Sequence, residues 1–303
     1  MKQSKKILIA NRGVIAIRAL RAARELGYSV ASVYSTIDRD QKHLKLSDEA
    51  ICIGPPETKD SYLNEAAIIS AAELSGADAI YPGFGFLAEN ASFAEKCRES
   101  GFKFIGPDPE VIAIMGDKIK AKELAKSLNI PVVPGYEGEI SNENEAIKIV
   151  EEIGYPVIIK ASAGGGGRGM RVVNSSDELW QSIQSAQNEA ELAFGDGKIF
   201  IEKYLKKPRH IEVQIFGNGK GEAVHLFTRD CSLQRKYQKI VEEAPALNID
   251  NQKLEEIQNL SVEACKKLNY EGAGTIEFLY ENNDFYFIEM NTRIQVEHTV
   301  TEM

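Results

Sequence analysis

The stretch TIEFLYENNDFYFIEMNTRIQVEH, residues 275–298, holds the pattern on which the fold turns. Two strand-like runs, 275–281 and 285–291, flank Asn282-Asn283-Asp284. β-branched and aromatic residues on either side of an Asn/Asp cluster predict an antiparallel hairpin. With those three residues as the loop, Glu281 faces Phe285 and, counting back, Glu277 faces Glu289. Like charges opposed on neighbouring strands are destabilising, and a bound cation removes that penalty. Carboxylates with room for water and phosphate suit Mg2+. The same register predicts Ile276, Phe278, Ile288 and Met290 on the core face. Beyond it, Glu289, Asn291, Arg293, Gln295 and Glu297 fall at every second position. In an extended chain they share one face. That face combines metal ligands, an arginine for an anion and a carboxylate base.

Upstream, Lys160-Ala-Ser-Ala-Gly164-Gly165-Gly166-Gly167-Arg168-Gly169-Met170 follows a buried-strand pattern. Glycines let backbone N–H groups approach a phosphate closely. No Gly-Lys-Ser/Thr follows, which excludes a P-loop. Residues 170–173 read as a strand and not a helix, which excludes a dinucleotide fingerprint. The pattern predicts a phosphate-covering flap between two strands, with Lys160 reaching an anion from the strand end. Residues 202–205 (EKYL) alternate at another strand end, where a nucleotide hinge would sit. His210 reads equally as a ribose or phosphate donor and as structural. The basic segment 229–239 reads equally as the lining of an anion site and as a solvated loop. Residues 80–90 (IYPGFGFLAEN) form a strand, a glycine turn and a helix start; in a doubly wound sheet such loops bind ligands.

The first third alternates strands (6–10, 29–34, 50–53, 79–81, 102–105) with helices (14–26, 65–74, 93–98). This predicts a parallel sheet covered on both faces. Residues 111–128 look helical, and Pro131 and Pro134 stop them. A smaller unit follows, with helices 143–153 and 177–194 and strands 157–160 and 199–204. Longer antiparallel strands begin near His210. The chain has 303 residues and a net charge of −9, from 45 acidic and 36 basic side chains. That balance argues against a general nucleic-acid or anionic-membrane binder. Four cysteines without a CxxC pair exclude a zinc knuckle or dithiol motif. No run is long and apolar enough to span a membrane, and a cytoplasmic protein is expected.

Taken together, these parts resemble the ATP-grasp fold and, more narrowly, the biotin carboxylase component of biotin-dependent carboxylases. The matching segments are IANRG (9–13), YPGFGFLAEN (81–90), FIGP (104–107), MGDK (115–118), KASAGGGGRGMR (160–171), EKYL (202–205), RHIEVQ (209–214), RDCSLQR (229–235), QKIVEEAP (238–245) and EMNTRIQVEH (289–298). The resemblance implies a doubly wound domain over 1–110, a helical connection over 111–134, a flap domain over 135–205 and the start of an antiparallel ATP-grasp lobe over 206–303. It implies that ATP, bicarbonate and biotin give ADP, phosphate and carboxybiotin through carboxyphosphate. By motif match, Lys118, Lys160 and Gly164, Gly165, Gly166 and Gly167 would hold the nucleotide phosphates. Glu202, Lys203 and Leu205 would meet the adenine, with His210 and Gln234 near the ribose. Glu277, Glu289 and Asn291 would hold Mg2+ or Mn2+. Lys239, Arg293, Gln295 and Val296 would bind bicarbonate, with Glu297 as its base, and Phe84 and Arg293 would face biotin. Implied partners are a biotin carboxyl carrier protein, carboxyltransferase subunits and a second copy of the chain.

The chain departs from the family pattern at four of these motifs. Val14 stands where Glu is usual, Phe84 where Tyr is usual, Tyr237 where His is usual, and Thr299 where Pro is usual. These changes put biotin contact and turnover rate in question more than fold. The family continues past VTEM with a further lobe, so truncation, low activity and exposed apolar surface are expected. Two other readings are a different ATP-grasp ligase making an acyl phosphate and a non-catalytic nucleotide-binding relative. The EMNTRIQVEH and QKIVEEAP runs argue against the first of these, because a generic ligase does not need the bicarbonate set.

Overall fold

A computed structural model describes residues 5–136, 138, 140–161, 170–195, 197–236 and 238–303. The glycine segment 164–167 and Tyr237 therefore lie outside the described residues. Two compact units make up the chain: residues 1–130 with 209–303, and residues 131–208.

The larger unit opens with β1 (Lys6–Ile9), α1 (Gly13–Glu25), β2 (Ser29–Ser35), α2 (Lys42–Leu46) and β3 (Glu49–Gly54). It continues with α3 (Glu65–Ser75), β4 (Ala79–Tyr81), α4 (Ala91–Glu99), β5 (Lys103–Phe104), α5 (Pro109–Gly116) and α6 (Lys118–Ser127). The strands pair in parallel in the order β3-β2-β1-β4-β5. Alternation along the strands buries both faces. Leu8, Ala31, Val33 and Ile80 pack with residues of α3 and α4, while Ile9 and Val30 pack with Ala16, Leu20 and Ala23 of α1. The doubly wound expectation holds. The helical reading of 111–128 holds too, as two helices, α5 and α6. Asp117 adopts extended backbone (φ −94°, ψ 111°) and its carboxylate accepts from the N–H groups of Ile119 and Lys120. A side chain that caps so well starts a new helix, and Lys118 becomes its first residue.

In the smaller unit, β6 (Gly135–Tyr136), α7 (Glu143–Ile153), β7 (Val157–Ala161), β8 (Arg171–Val173), α8 (Leu179–Phe194) and β9 (Ile199–Lys203) form a sheet ordered β6-β9-β7-β8. Val157, Ile159, Val173 and Ile201 bury against α7 and α8 through Val150, Ile183 and Ala186.

The rest of the larger unit contains β10 (Arg209–Asn218), β11 (Ala223–Arg235), β12 (Gln238–Glu243), α9 (Asn251–Lys267), β13 (Glu271–Glu281), β14 (Asp284–Asn291) and α10 (His298–Glu302). Its sheet is antiparallel, ordered β12-β11-β10-β13-β14. β12 was not foreseen, and the segment 229–239 is neither a loop nor solvated at its start. It is largely strand, and the Arg229 side chain is fully buried.

Candidate active site

The β13–β14 hairpin does place Glu277 opposite Glu289, by a route other than the expected one. The turn has two residues, Asn282 and Asn283, both at positive φ (54° and 67°). This is the backbone that two-residue hairpins require and that Asn tolerates. Glu281 therefore faces Asp284, not Phe285. A bulge at Ile288 then restores the register, because Phe278 pairs with Phe287 and Glu277 with Glu289. The bulge also corrects the core assignment. Phe285, Phe287 and Met290 are buried, while Ile288 turns into the cleft.

That cleft, about 510 Å³, is lined by His210, Gln234, Lys239, Glu277, Leu279, Ile288, Glu289, Asn291, Arg293, Gln295, Val296 and Glu297. Glu289, Asn291, Arg293, Gln295 and Glu297 do share it, although the strand ends at Asn291 and a turn carries the remainder. Lys239, on β12, sits among three carboxylates. Its Nζ donates to Glu277 Oε1 at 2.9 Å, to Glu297 Oε1 at 2.6 Å, and to Glu212. His210 Nε2 lies 3.0 Å from Glu277 Oε2 and 3.2 Å from Glu212 Oε1. Burial alone would depress the imidazole, but those two carboxylates outweigh it and hold its pKa at about 9. Burial would likewise raise Glu277, yet His210 and Lys239 pull it down to about 2. Lys239 is held well above the ordinary lysine value by Glu277 and Glu212 against the cost of burial. All three groups are therefore charged at neutral pH.

Arg293 is oriented from the doubly wound half of the unit. Its Nε donates to Glu89 Oε2 at 2.6 Å, and the same carboxylate accepts from the Thr292 N–H at 3.2 Å. Two segments singled out separately, 80–90 and 289–298, thus meet. Arg293 Nη2 also donates to Asn291 Oδ1 at 2.9 Å, while Asn291 Nδ2 donates to Glu277 Oε1 at 2.8 Å. Gln295 Nε2 donates to the same Glu277 oxygen at 2.8 Å. Gln234 Nε2 is tied to the Cys231 carbonyl at 2.9 Å. Val296 is 61% exposed, which leaves its backbone open to the cleft.

The metal expectation can be tested on donor chemistry. Glu277 Oε1 is already an acceptor three times over, from Lys239, Asn291 and Gln295. Glu289 carries no hydrogen bond among the described residues, and burial together with Glu277 raises its carboxyl above the usual range. Lys118, at the start of α6, and Lys239 are the positive charges that counter this. An under-neutralised carboxylate beside a second one fits a hard divalent cation with oxygen ligands. The Asn291 amide oxygen is committed to Arg293, so it serves a cation only by giving up that bond.

In the smaller unit, Lys160 Nζ donates to Glu202 Oε2 at 2.6 Å and lies 5.7 Å from the Phe200 ring centre. Lys203 donates its ammonium to the Gly154 and Tyr155 carbonyls, each at 2.9 Å. What Lys203 leaves for a ligand is backbone. Leu205 is half-buried just past β9.

A second cleft, about 410 Å³, is lined by Asn11, Arg12, Gly13, Val14, Gln41, Phe84, Gly85 and Phe86. Asn11 shapes it: its Nδ2 donates to the Pro82 and Phe84 carbonyls at 2.6 and 2.8 Å. Gly83 has φ +67°, and a Cβ there would meet that amide at 3.0 Å and Ile15 at 3.1 Å. Only glycine fits the turn that presents Phe84. Two of the departures, Val14 and Phe84, line this cleft, and Thr299 is exposed on α10.

Sequence reading missed Glu212 and Arg229. Both are fully buried on adjacent strands, paired to each other at 2.9 Å. The available signal was RHIEVQIF (209–216), where Glu212 and Gln214 interrupt Ile211, Val213 and Ile215 inside an apolar strand.

Comparison with known proteins bears on this geometry. Residues 3–112 match the family "Biotin carboxylase, N-terminal domain", and residues 117–303 match "Carbamoyl-phosphate synthase L chain, ATP binding domain". The biotin carboxylase of Pseudomonas aeruginosa is 56% identical over 299 residues, covering 98% of this chain and 67% of its own. The biotin carboxylase of Campylobacter jejuni, solved as a β,γ-ATP complex, superimposes with a TM-score of 0.87 at 52% identity, over 99% of this chain and 67% of that one. The biotin carboxylase domain dimer of Hydrogenobacter thermophilus 2-oxoglutarate carboxylase, solved with MgADP, ADP and bicarbonate, gives 0.84 at 49% identity, over 100% and 67%. This chain thus spans about two thirds of the length of these relatives. The shared motifs, the ATP-grasp architecture and these identities together show that the chain belongs to the biotin carboxylase family of ATP-dependent ligases.

Proposed function

We propose that the chain carries out the first half-reaction of a biotin-dependent acyl-CoA carboxylase: ATP- and bicarbonate-dependent carboxylation of biotin borne on a carrier protein. The observation that supports this best is the convergence of Lys239, Arg293, Gln295, Val296 and Glu297 in the cleft that also holds Glu277 and Glu289. A bicarbonate ion needs cations and donors on its oxygens and a carboxylate on its proton. In this reading Lys239 and Arg293 supply the charge, Gln295 and the Val296 backbone supply hydrogen bonds, and Glu297 takes the proton.

The freed bicarbonate oxygen attacks the γ-phosphorus, the bond to the ADP oxygen breaks, and carboxyphosphate forms. Its breakdown releases CO2 and phosphate near Phe84 and Arg293; the phosphate takes the ureido N–H proton of biotin, and that nitrogen attacks CO2 to give carboxybiotin. Lys118, Lys160, Glu202, Lys203, Leu205, His210 and Gln234 are the proposed nucleotide contacts. Glu277 and Glu289, with Asn291, would hold Mg2+ or Mn2+, which when bound offsets charge on the transferring phosphoryl group. Glu297 already accepts from Lys239, so the proposed base lies beside the cation that would receive bicarbonate. The same site chemistry calls for a biotin carboxyl carrier protein and carboxyltransferase subunits, and a homodimer is the expected assembly. No helix among the described residues is long and apolar enough to cross a membrane.

The test is ADP release from the full chain with Mg-ATP, with and without bicarbonate and free biotin. Stimulation by bicarbonate is expected. Glu297→Gln should lower it by about 10²–10⁴-fold, the usual weight of a general base, while nucleotide binding stays within about twofold of wild type. ATP turnover indifferent to bicarbonate would refute the proposal.

A further inference from the structure

Arg229 is the largest fully buried side chain of the described residues, and no step above uses it. It projects from β11 beneath the cleft, and its guanidinium engages five residues. Nε and Nη2 grip Glu212 Oε2 at 3.1 and 2.9 Å. Nη1 donates to Gln214 Oε1 at 2.7 Å and to Thr301 Oγ1 at 3.0 Å. Nη2 also donates to Gln295 Oε1 at 2.6 Å and to Thr275 Oγ1 at 3.2 Å. A guanidinium has five N–H donors in a fixed fork, and here the whole fork is committed.

Two of these bonds bear on the reaction. Gln295 and Thr301 bracket the turn that carries Val296 and Glu297, so one rigid group fixes that turn from both sides. Glu212, with its second oxygen, holds Lys239. The same guanidinium therefore sets the position of a proposed bicarbonate donor and, through one carboxylate, of the central cation. We propose that Arg229 is a positioning residue that templates the bicarbonate half of the site, as distinct from the nucleotide half. The inference rests on the bicarbonate reading given above.

Without the fork, Glu212 is left buried with Lys239 and His210 as its remaining cationic partners, and it draws the Lys239 ammonium from Glu297. Arg229→Lys keeps the charge but offers a point donor in place of a planar fork. A misplacement of about 1 Å can cost on the order of a hundredfold in rate. The experiment is steady-state ADP release by the full chain, wild type and Arg229→Lys, with bicarbonate and ATP varied in turn. The expected result is a rise in KM for bicarbonate of about tenfold or more, with KM for ATP within about twofold of wild type. Thr301→Val removes only the tether to α10; it should shift the bicarbonate KM in the same direction by a few-fold and covers the case in which Arg229→Lys fails to fold. A folded variant whose bicarbonate and ATP constants move together, or not at all, would overturn the proposal. A wild-type chain indifferent to bicarbonate would overturn the functional reading and this inference together, whereas a responsive wild type with unshifted variants would overturn the inference alone.

Discussion

Two clusters in the larger unit set a cationic side chain against buried carboxylates, and they are built to opposite ends. In the doubly wound half, Asp38 is 3% exposed and accepts from Tyr62 Oη at 2.7 Å, Ser35 Oγ at 2.8 Å and Arg12 Nη1 at 3.2 Å. One carboxylate there has three donors. Arg12 lies over the Tyr62 and Phe86 rings, which stack on each other at 4.7 Å. In the antiparallel half, Lys239 is divided among Glu212, Glu277 and Glu297, and Glu289 has no hydrogen-bonded partner among the described residues. A buried carboxylate whose donors outnumber it closes a structure. Glu289, beside Glu277 and without a donor of its own among the described residues, leaves negative potential to be filled by something else. This contrast separates a structural ion pair from a site more sharply than charge or burial does.

The contrast makes separable predictions. Glu277→Gln removes the negative charge on which Lys239, Asn291 and Gln295 converge, and turnover should fall by on the order of a hundredfold or more. Thermal stability should fall as well, because, against the cost of burial, His210 and Lys239 hold this carboxylate well below the ordinary glutamate value, but turnover carries the larger effect. A large loss of melting temperature with activity retained would erase the distinction between the clusters.

Asp38→Asn should do the reverse. It should destabilise by about 1–3 kcal/mol and leave the kinetic constants for ATP and bicarbonate near wild type, as read by denaturant melts and steady-state assays. Burial alone would raise the Asp38 carboxyl, but the hydrogen bonds from Tyr62, Ser35 and Arg12 hold it below the ordinary aspartate value. A carboxylate depressed in the folded state lends stability that is fully present above its unfolded pKa, about 4. That stability is lost as pH falls through the lower folded value. Acid melts of wild type and Asp38→Asn should therefore converge below about pH 4; curves that stay parallel would contradict this account. Tyr62→Phe, which removes one of the three donors, should cost about 1 kcal/mol.

Much of this was legible in the sequence. Strand–helix alternation led directly to the parallel sheet because its strands are apolar on both faces. The Glu277–Glu289 pairing was legible too, but through two departures that compensate. The loop is one residue shorter than expected, and a bulge at Ile288 adds the residue back. Neither leaves a composition signal, since the left-handed backbone of Asn282 and Asn283 is visible only in φ. The helical character of 111–128 was legible, but the break within it rests on the capping geometry of Asp117, after Gly116, and apolar periodicity does not show it. Glu212 and Arg229 were passed over for a related reason. Buried charge is an exception to strand patterning, and what makes these two functional is their partners on other strands, which the linear order does not reveal. The roles that resemblance alone supplied, such as bicarbonate binding by Lys239 and Val296, fall on residues that the structure brings into one cleft.

The most direct test of the central claim is bicarbonate-stimulated ADP release by the full chain, compared between wild type and Glu297→Gln at saturating Mg-ATP. The account predicts clear stimulation in the wild type and its near-complete loss in the variant, with nucleotide affinity preserved. Equal stimulation in both would show that Glu297 is not the base, and the cleft between β10, β12 and β14 would lose its assigned role.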